Sequence, residues 1–326
     1  MKLKQILTLA LLFADTVAGD AVTALASAVE VVDASFYSPP QHQNPIELVA
    51  TVATWEDDKL IIHEGTQNAG AIKFGVAQSL GIPPENVTVI SPHAGGGFGQ
   101  KNSMQMQTTL VAWAARQLGA SVKMVVPRAQ LFTNASFRPE SRHRVRLGAD
   151  KDGRITSALY DVDAQSSRHD LFPLDYTSAA ARLYGIPNFK GFQRFVQTDV
   201  QTPGYMRAPY EHFASFALDT AVDEMAARFE RDPVEYRLSL DTDKDPISGL
   251  PLSSRFLNEC LTRGAQRFGW SSRNPKPGSM KAENGDLIGM GVGCGCYKAA
   301  TAAAVATLKM SRDGDVTVSA GVHEMG

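Results

Sequence analysis

The chain has 326 residues, of which 44% are apolar, and this length and composition predict a globular protein with room for two domains. The 32 Lys and Arg residues against 34 Asp and Glu residues give a formal charge of -2, which excludes the basic surface typical of nucleic-acid-binding proteins. The three cysteines, Cys260, Cys294 and Cys296, have neither CxxC nor zinc-like spacing, so we expect no metal bound directly by the protein. Their odd number favours a reducing compartment.

The N-terminus imitates a secretory signal, because Lys2 and Lys4 precede an apolar stretch at 6–14 and small residues follow at 17–19. This apolar stretch is too short for a bilayer, which needs about 20 apolar residues, and no other stretch is predicted to cross a membrane. We therefore predict a signal-like or non-native segment at 1–18, with an amphipathic segment or the remnant of a longer upstream region as alternatives. The expected compartment is the cytoplasm, and the alternative is the periplasm.

Strand and helix patterns alternate through the first 126 residues. Two helices are predicted, one at 67–81, where Gly81 ends the pattern, and one at 103–118, with Asn102 or Ser103 as its N-cap. The predicted strands lie at 29–37, 48–55, 59–63, 87–91 and 122–126, and an acidic turn at 56–58 joins the second to the third. This order predicts an α/β fold in which a glycine-rich loop connects a strand to a helix.

The remaining chain is predicted to combine antiparallel strands with helices. Strands at 144–149 and 155–164 are predicted to form a hairpin, and an Asp-Gly turn at 313–314 precedes a strand at 316–322. Helices are predicted at 211–230 and 253–268, and polar linkers at 241–250 and 271–286. The expected class is therefore α/β, or a mixture of α/β and α+β.

The sequence HAGGGFGQKN at 93–102, called the glycine loop below, lies between the strand at 87–91 and the helix that follows. Its glycines leave room for a ligand to contact peptide N–H groups, and a following helix N-terminus favours a phosphate, a pterin or an oxo group. The loop is not a GxxxxGK[ST] motif, because Gln100 precedes Lys101, and it is not GxGxxG, because residue 102 is Asn. A tight strand-to-helix turn with Phe98 packed in the core is the alternative interpretation.

Six motifs appear in a fixed order along the chain. They are QHQNPIELVATVATW (41–55), GTQN (65–68), GGGFGQK (95–101), YGIPN (184–188), TPGYMRAPYEHFASFALDTAVDEMA (202–226) and VHEMG (322–326). Together they resemble the molybdopterin-binding large subunit of the xanthine oxidase and aldehyde oxidase family, the molybdenum hydroxylases, from about Gly19 to Gly326. The resemblance implies that 19–240 form part of a first molybdopterin-binding domain and that 251–326 begin a second.

The resemblance also implies roles for individual residues. Gln67 matches the glutamine that hydrogen-bonds the apical oxo ligand of molybdenum, and a side-chain amide suits that task because an oxo ligand is an acceptor. Arg207 matches the family's active-site arginine, so Gln67 and Arg207 are the candidate catalytic residues. The candidate cofactor-binding residues are Gly96, Gly97, Phe98, Gly99, Arg207, Ala208 and, at the start of a second cofactor element, Gly326.

Departures from the family pattern concern the substrate pocket. Asn102 and Asp175 stand where purine-oxidising members have a glutamate and an arginine, which disfavours xanthine and hypoxanthine. Pro209 takes the place of a substrate-stacking aromatic residue, and Tyr210 replaces a glycine common in bacterial members.

Glycine recurs at every second position from 289 to 295, which on a strand would leave one face bare. The resemblance implies that a segment near this one lines the substrate funnel, so Cys296 and Tyr297 are candidate wall residues. Close packing of the bare face against a helix is the alternative.

The family reaction is the hydroxylation of an aldehyde or an aromatic N-heterocycle with water as the oxygen donor. The resemblance implies a molybdenum-bearing molybdopterin in its cytosine dinucleotide form, an iron–sulfur partner subunit and a flavin (FAD) partner subunit. The family's catalytic glutamate belongs to a later segment, and this sequence stops inside the element that begins at 323, so we expect a partial chain. An inactive cofactor-binding fragment and a nucleotide-binding protein are the alternatives.

Overall fold

The computed structural model describes residues 10–12, 15–297 and 305–321, and its mixture of helices and strands confirms the predicted class. The strands are β1 (Ala10–Leu12), β2 (Thr16–Ala18), β3 (Glu30–Ser38), β4 (Ala50–Glu56), β5 (Lys59–Glu64), β6 (Val87–Ile90), β7 (Val122–Val125), β8 (Ser141–Ala149), β9 (Ile155–Ser167), β10 (Asn188–Thr198), β11 (Ala306–Met310) and β12 (Val316–Ala320). The helices are α1 (Ala21–Ala26), α2 (Ala69–Leu80), α3 (Met106–Leu118), α4 (Arg128–Asn134), α5 (Tyr176–Ala181), α6 (Glu211–Arg228), α7 (Pro233–Leu238) and α8 (Leu257–Phe268).

A four-stranded sheet has the order β6-β5-β4-β7. β4 and β5 form the predicted antiparallel hairpin, β5 runs parallel to β6, and β7 is antiparallel to β4. Alternation along the strands turns apolar side chains toward α2 and α3, which cover the sheet. The core between them contains Ala53, Leu60, Ile62, Ile72, Val76, Ala77, Val87, Val111, Ala112 and Ala115.

A six-stranded sheet has the order β1-β10-β9-β8-β3, and β2 also pairs with β10. β8 and β9 confirm the predicted hairpin, whereas β10, which runs parallel to β9, and the short helices α1, α4, α5 and α7 are absent from the sequence prediction. Helix α6 lies against β3 and β8, and it buries Phe213, Ala214, Ala217, Leu218, Ala221, Val222, Met225 and Ala226. Burying one large apolar side chain contributes about 1.5–3 kcal/mol, so this face fixes α6 on the sheet.

The predicted start of α3 is wrong. The helix begins at Met106, because Gly99 adopts a left-handed backbone and residues 100–102 close one 3-10 turn before the chain extends again. Gln105 occupies the N-cap position predicted for Asn102 or Ser103, and its Nε2 donates to the carbonyl oxygens of Gln100 and Ser103 at 2.8 and 2.9 Å. The start of α8 also differs, since that helix begins at Leu257 and not at 253.

The alternating glycines do not form a strand, since residues 289–297 pair with no strand in the described ranges. β11 and β12 form an antiparallel hairpin across the predicted Asp-Gly turn, with Leu308 opposite Val318 and Met310 opposite Val316. Every residue of these two strands is exposed. The VHEMG motif, and with it Gly326, lies outside the described residues.

No helix in the described ranges combines the length and the apolar character that a membrane span requires. Near the N-terminus, β1 and β2 pair antiparallel with β10. Residues 1–9 and 13–14 lie outside the described ranges, so the signal-like segment at 1–18 stays a prediction.

Candidate functional site

Two parallel strands bring Gln67 and the glycine loop to the same edge of the four-stranded sheet. His63 of β5 lies opposite Ile90 of β6. β5 ends three residues before Gln67, and β6 ends three residues before the glycine loop. Because the carboxyl ends of neighbouring parallel strands open on the same side, the two segments start next to each other.

The glycine loop turns through left-handed backbone at three residues. The φ angle is 94° at Gly96, 51° at Phe98 and 100° at Gly99. The N–H of Gln100 closes the turn by donating to the carbonyl oxygen of Gly97 at 2.8 Å. A non-glycine residue such as Phe98 is held in this region at a cost of about 1–2 kcal/mol, so neighbouring contacts must stabilise it.

Gln67 contacts the glycine loop directly and is only 2% exposed. Its Oε1 accepts the Gly99 N–H at 2.9 Å. A Cβ atom on Gly97 would lie 2.2 Å from this Oε1, so the contact requires glycine there. Because a backbone N–H can only donate, the amide oxygen of Gln67 must face Gly99, and its Nε2 group remains a donor. The Gly99 N–H, predicted to face the cofactor, therefore orients Gln67 instead.

Residues 205–208 form the second wall of the site. The N–H of Arg207 donates to the carbonyl oxygen of Phe98 at 2.9 Å. A Cβ atom on Gly99 would lie 2.5 Å from the carbonyl oxygen of Tyr205, so the two backbones touch. Arg207 thus contacts the loop through its backbone, while its side chain is exposed.

Arg138, which no sequence motif indicated, lies beneath this second wall. It is 2% exposed, and its guanidinium donates to the carbonyl oxygens of four consecutive residues, Met206, Arg207, Ala208 and Pro209. Burial lowers the pKa of Arg138 from its ordinary value. The only local signal was an arginine before Pro139, which did not distinguish it from a surface residue.

Lys101 joins the glycine loop to the segment that precedes β4, and its role was also missed. Its side chain is 1% exposed and forms an ion pair with Glu47. Glu47 in turn accepts the Gly95 N–H at 2.8 Å. The carbonyl oxygen of Lys101 accepts the N–H of Gln67 at 2.9 Å. Lys101 therefore links the loop, Glu47 and Gln67, and its ammonium group is used in the ion pair with Glu47.

A groove of about 600 Å³ runs along α6 from Ala208 to the segment 292–297. Cys296 and Tyr297, the predicted wall residues, both line it, as do Glu211 and His212 at the start of α6. Burial, and then the charge of Arg138, lowers the pKa of His212, which favours its neutral form. Burial raises the pKa of the Cys296 thiol, which favours the protonated form.

A buried polar cluster fixes the groove's far wall. The Oδ2 of Asp219 accepts the Cys294 N–H at 2.9 Å, and its Oδ1 accepts Nε of Arg237 at 2.9 Å and the hydroxyl of Tyr184. Arg237 also donates to Asp223 at 2.7 Å. Because the carboxylate of Asp219 has partners on both oxygens, the segment around Cys294 is anchored to α6.

The other predicted pocket residues take different places. The exposed Asp175 is the N-cap of α5, and its Oδ1 accepts the Ser178 N–H at 2.9 Å, so the structure gives it a capping role instead of a place in the groove wall. Asn102 ends the 3-10 turn of the glycine loop. The carbonyl oxygen of Pro209 accepts a hydrogen bond from Arg138, and Tyr210 occupies the N-cap position of α6.

Five donors of the two walls have no hydrogen-bond acceptor within the described ranges. They are the N–H groups of Gly96, Gly97, Phe98 and Ala208 and the Nε2 of Gln67. Such a set suits a ligand that carries several acceptor oxygens.

Comparison with protein families agrees with this chemistry. Residues 8–239 match the family model described as the molybdopterin cofactor-binding domain. The matched range includes Gln67, the glycine loop and residues 205–208, so the resemblance inferred from the sequence motifs is confirmed.

Curated relatives extend the match beyond this domain. The aldehyde oxidoreductase molybdenum-binding subunit PaoC of Escherichia coli K12 is 33% identical over 310 residues, which cover 94% of this chain and 42% of PaoC. The putative xanthine dehydrogenase molybdenum-binding subunit XdhA of the same strain is 29% identical over 319 residues, covering 91% of this chain and 42% of XdhA. The chain thus spans less than half the length of these relatives.

Solved structures share the fold. The aldehyde oxidoreductase from Desulfovibrio desulfuricans superposes with a TM-score of 0.81 at 22% identity, over 94% of this chain and 35% of that one. The aldehyde oxidoreductase from Desulfovibrio gigas gives a TM-score of 0.78 at 24% identity, over 93% of this chain and 34% of that one.

Proposed function

The chain belongs to the molybdopterin cofactor-binding domain family, and we propose that it holds a molybdenum-bearing pterin between its glycine loop and residues 205–208. The observation that carries this proposal is the hydrogen bond between Gly99 and Gln67, which consumes the amide oxygen and leaves Nε2 as a donor. The donor groups of both walls fit an oxo-bearing group, because an oxo ligand only accepts hydrogen bonds.

Each residue has a defined task in this proposal. When bound, the cofactor supplies two-electron oxidation chemistry that amino-acid side chains lack. Gln67 donates from Nε2 to an acceptor oxygen, while Gly99 keeps that amide in the required orientation. The backbone N–H groups of Gly96, Gly97, Phe98 and Ala208 donate from fixed positions, so little reorganisation is needed when the ligand binds.

The proposed reaction of the assembled protein is the oxidation of an aldehyde or an aromatic N-heterocycle, with water as the oxygen donor. The description of PaoC as an aldehyde oxidoreductase subunit supports it. The groove along α6 has a volume of about 600 Å³, which suits a small organic molecule. Cys296 in its wall is a protonated, weakly polar contact for such a substrate. Asn102 stands where purine-oxidising members of the family have a glutamate, and the loss of that carboxylate disfavours a purine.

The proposal includes partners. Iron–sulfur clusters need clustered cysteine ligands, and Cys260, Cys294 and Cys296 are too scattered to supply them. Electrons therefore leave through a separate iron–sulfur subunit or domain, with an FAD subunit as a further partner. The cofactor is in its cytosine dinucleotide form.

Within the chain, residues 19–240 belong to a first cofactor-binding domain and residues 251–326 begin a second. The compartment is the cytoplasm, with the periplasm as the alternative.

The direct test measures molybdenum by metal analysis and pterin by fluorescence in the chain purified from cells that make the cofactor. We expect both to co-purify with the chain. A bound nucleotide without molybdenum would contradict the proposal and favour a nucleotide-binding protein.

The role of Gln67 is tested by Gln67→Ala in the assembled enzyme, with Gln78→Ala, an exposed residue of α2, as the matched control. Loss of one preorganised donor lowers turnover about a hundredfold, and more than it lowers cofactor content. Gln78→Ala should change neither quantity. Unchanged turnover in Gln67→Ala would remove this side chain from the site.

A further inference from the structure

The buried guanidinium of Arg138 binds carbonyl oxygens in place of a carboxylate. Nη1 donates to Ala208 and Pro209 at 2.9 Å each, and Nη2 donates to Arg207 at 2.6 Å and Met206 at 3.3 Å. In the part of the chain that the structure describes, no acidic side chain lies within ion-pair distance of Arg138, although the charge of Glu211 also favours its cationic form. A desolvated cation without an ion pair is costly, and neutral carbonyls offset this cost only when several converge.

The hydrogen bonds of Arg138 also fix the directions of the neighbouring N–H groups, because each peptide unit is planar. In a planar trans peptide the C=O of one residue and the N–H of the next point in opposite directions. Where Arg138 draws in the carbonyl oxygens of Met206 and Arg207, the N–H groups of Arg207 and Ala208 must face away from it. The Arg207 N–H indeed donates to Phe98 on the opposite side. By the same geometry the Ala208 N–H points away from Arg138, and within the described residues it has no hydrogen-bond acceptor.

Ala208 needs such support, because its φ angle is 53° and it is not glycine. A left-handed backbone costs an L residue free energy and persists only where its surroundings hold it. The carbonyl oxygens on both sides of the Ala208 Cα, those of Arg207 and Ala208, are bound by the two ends of one planar fork. The fork therefore restrains the backbone around this residue.

Arg138 is itself firmly placed. Its N–H donates to the carbonyl oxygen of Gln41 at 2.8 Å, and its own carbonyl oxygen accepts the Gln41 N–H at 3.1 Å. Two residues along, Gln43 donates from Nε2 to the carbonyl oxygen of Tyr205 at 2.6 Å. The chain around 41–43 thus anchors Arg138 and also restrains the same wall.

We propose that Arg138 is a positioning residue that turns the carbonyl oxygens of 206–209 inward so that the Ala208 N–H is presented to an oxygen atom of the bound ligand. The identity of that ligand rests on the proposed function, whereas the ordering of residues 205–210 by Arg138 does not. Lysine cannot replace it, because an ammonium group is a point donor and lacks the planar fork that spans four carbonyls.

The experiment compares Arg138→Lys with Arg144→Lys in the full chain. Arg144 is the matched control because its side chain is 53% exposed and pairs with Asp33 at the surface. Hydrogen exchange of the peptide 205–210 should become about tenfold faster in Arg138→Lys, while exchange in β8 is unchanged. Molybdenum and pterin retention should weaken about tenfold, as is usual when a residue supporting a ligand-binding group is lost. Arg144→Lys should alter neither measurement.

A second variant separates positioning from folding. In Arg138→Ala, millimolar guanidinium should restore slow exchange at 205–210 and cofactor retention, whereas ammonium at the same concentration should not. If Arg138→Ala stays unfolded even with guanidinium, the test rests on Arg138→Lys. Normal exchange at 205–210 in Arg138→Lys would overturn the inference.

The outcomes also distinguish this inference from the proposed function. If the unaltered chain retains no molybdenum or pterin but Arg138→Lys still loosens 205–210, the ordering role stands and the proposed function fails. If the unaltered chain retains the cofactor and Arg138→Lys retains it equally, the proposed function stands and the positioning role is wrong.

Discussion

The glycine loop at 93–102 and the alternating segment at 289–295 contain four glycines each, but the space around those glycines differs. In the loop, Cβ atoms on Gly95, Gly97 and Gly99 would lie 2.7, 2.2 and 2.5 Å from the nearest atoms. In the segment, no atom lies within 4 Å of a Cβ on Gly289 or Gly291. Two stretches of similar composition therefore use glycine for different reasons.

The alternating segment has the predicted alternation of side chains, although it does not form a strand. Its glycines are exposed, while Met290 and Val292 are half-buried and Cys294 is buried, so the side chains alternate between two sides as predicted. A Cβ atom on Gly293 or Gly295 would lie at ordinary van der Waals distance from α6, 3.7 Å from Asp219 Oδ2 and 3.9 Å from Ser215 Oγ. A Cβ atom on Gly289 or Gly291 would have no atom within 4 Å, so helix packing does not account for those two glycines.

The largest expected effect is that of Gly99→Ala. The backbone strain at a φ of 100° and the contact with the Tyr205 carbonyl oxygen together should lower the free energy of unfolding by about 4 kcal/mol. Gly119→Ala is the matched control, since Gly119 has a φ of 60° and nothing within 4 Å of its Cβ, and it should lose only about 1 kcal/mol. Chemical denaturation measures both, and equal losses would show that the contact with Tyr205 is unimportant.

An intermediate effect is expected for Gly97→Ala. The new methyl group must displace the Gln67 side chain, which breaks its bond to the Gly99 N–H and lowers the free energy of unfolding by about 1–2 kcal/mol. Because the displaced amide no longer points its Nε2 into the site, cofactor retention should fall more than stability does. Full molybdenum content in this variant would contradict the assignment of the loop.

The smallest effect is expected for Gly291→Ala. Its φ is not in the left-handed region and its Cβ meets nothing, so the methyl group should be neutral or should stabilise the chain by about 0.4–1 kcal/mol through the unfolded state. Molybdenum content should be unchanged. A loss as large as that of Gly97→Ala would show that the two glycine-rich stretches are not different in kind.

Local signals in the sequence predicted several elements well. Gly81 ends α2 in the left-handed conformation, as a glycine after an apolar helical pattern suggests. The turn near Gly153 joins β8 and β9 in the predicted hairpin. The start of α3 could not be predicted, because polar residues at 102 and 103 resemble N-caps, whereas the turn that follows Gly99 delays the helix to Met106.

The candidate site was predictable only in part. Gln67 and the glycine loop carry motifs, and adjacent parallel strands place them together. Arg138 lies in no motif, and Glu47, although inside the motif at 41–55, was given no role, because an arginine or a glutamate in a loop is far more often a surface residue. Asp175 was assigned to the substrate pocket by its position before YGIPN, but its local sequence suits a helix N-cap and its carboxylate is used there.

By itself, the sequence determined the family, the α/β class and the two segments that supply donors, since each depends on residues close together in the chain. Only the tertiary structure decided that Arg138 lies under residues 206–209, which are 68 to 71 positions away, and that Gly99 uses its N–H to orient Gln67. The physical reason is the separation along the chain over which each kind of interaction acts. Steric preferences and hydrogen-bonding patterns act over a few residues, whereas the partners of a buried guanidinium or a bare peptide group depend on which distant segments the folded core brings together.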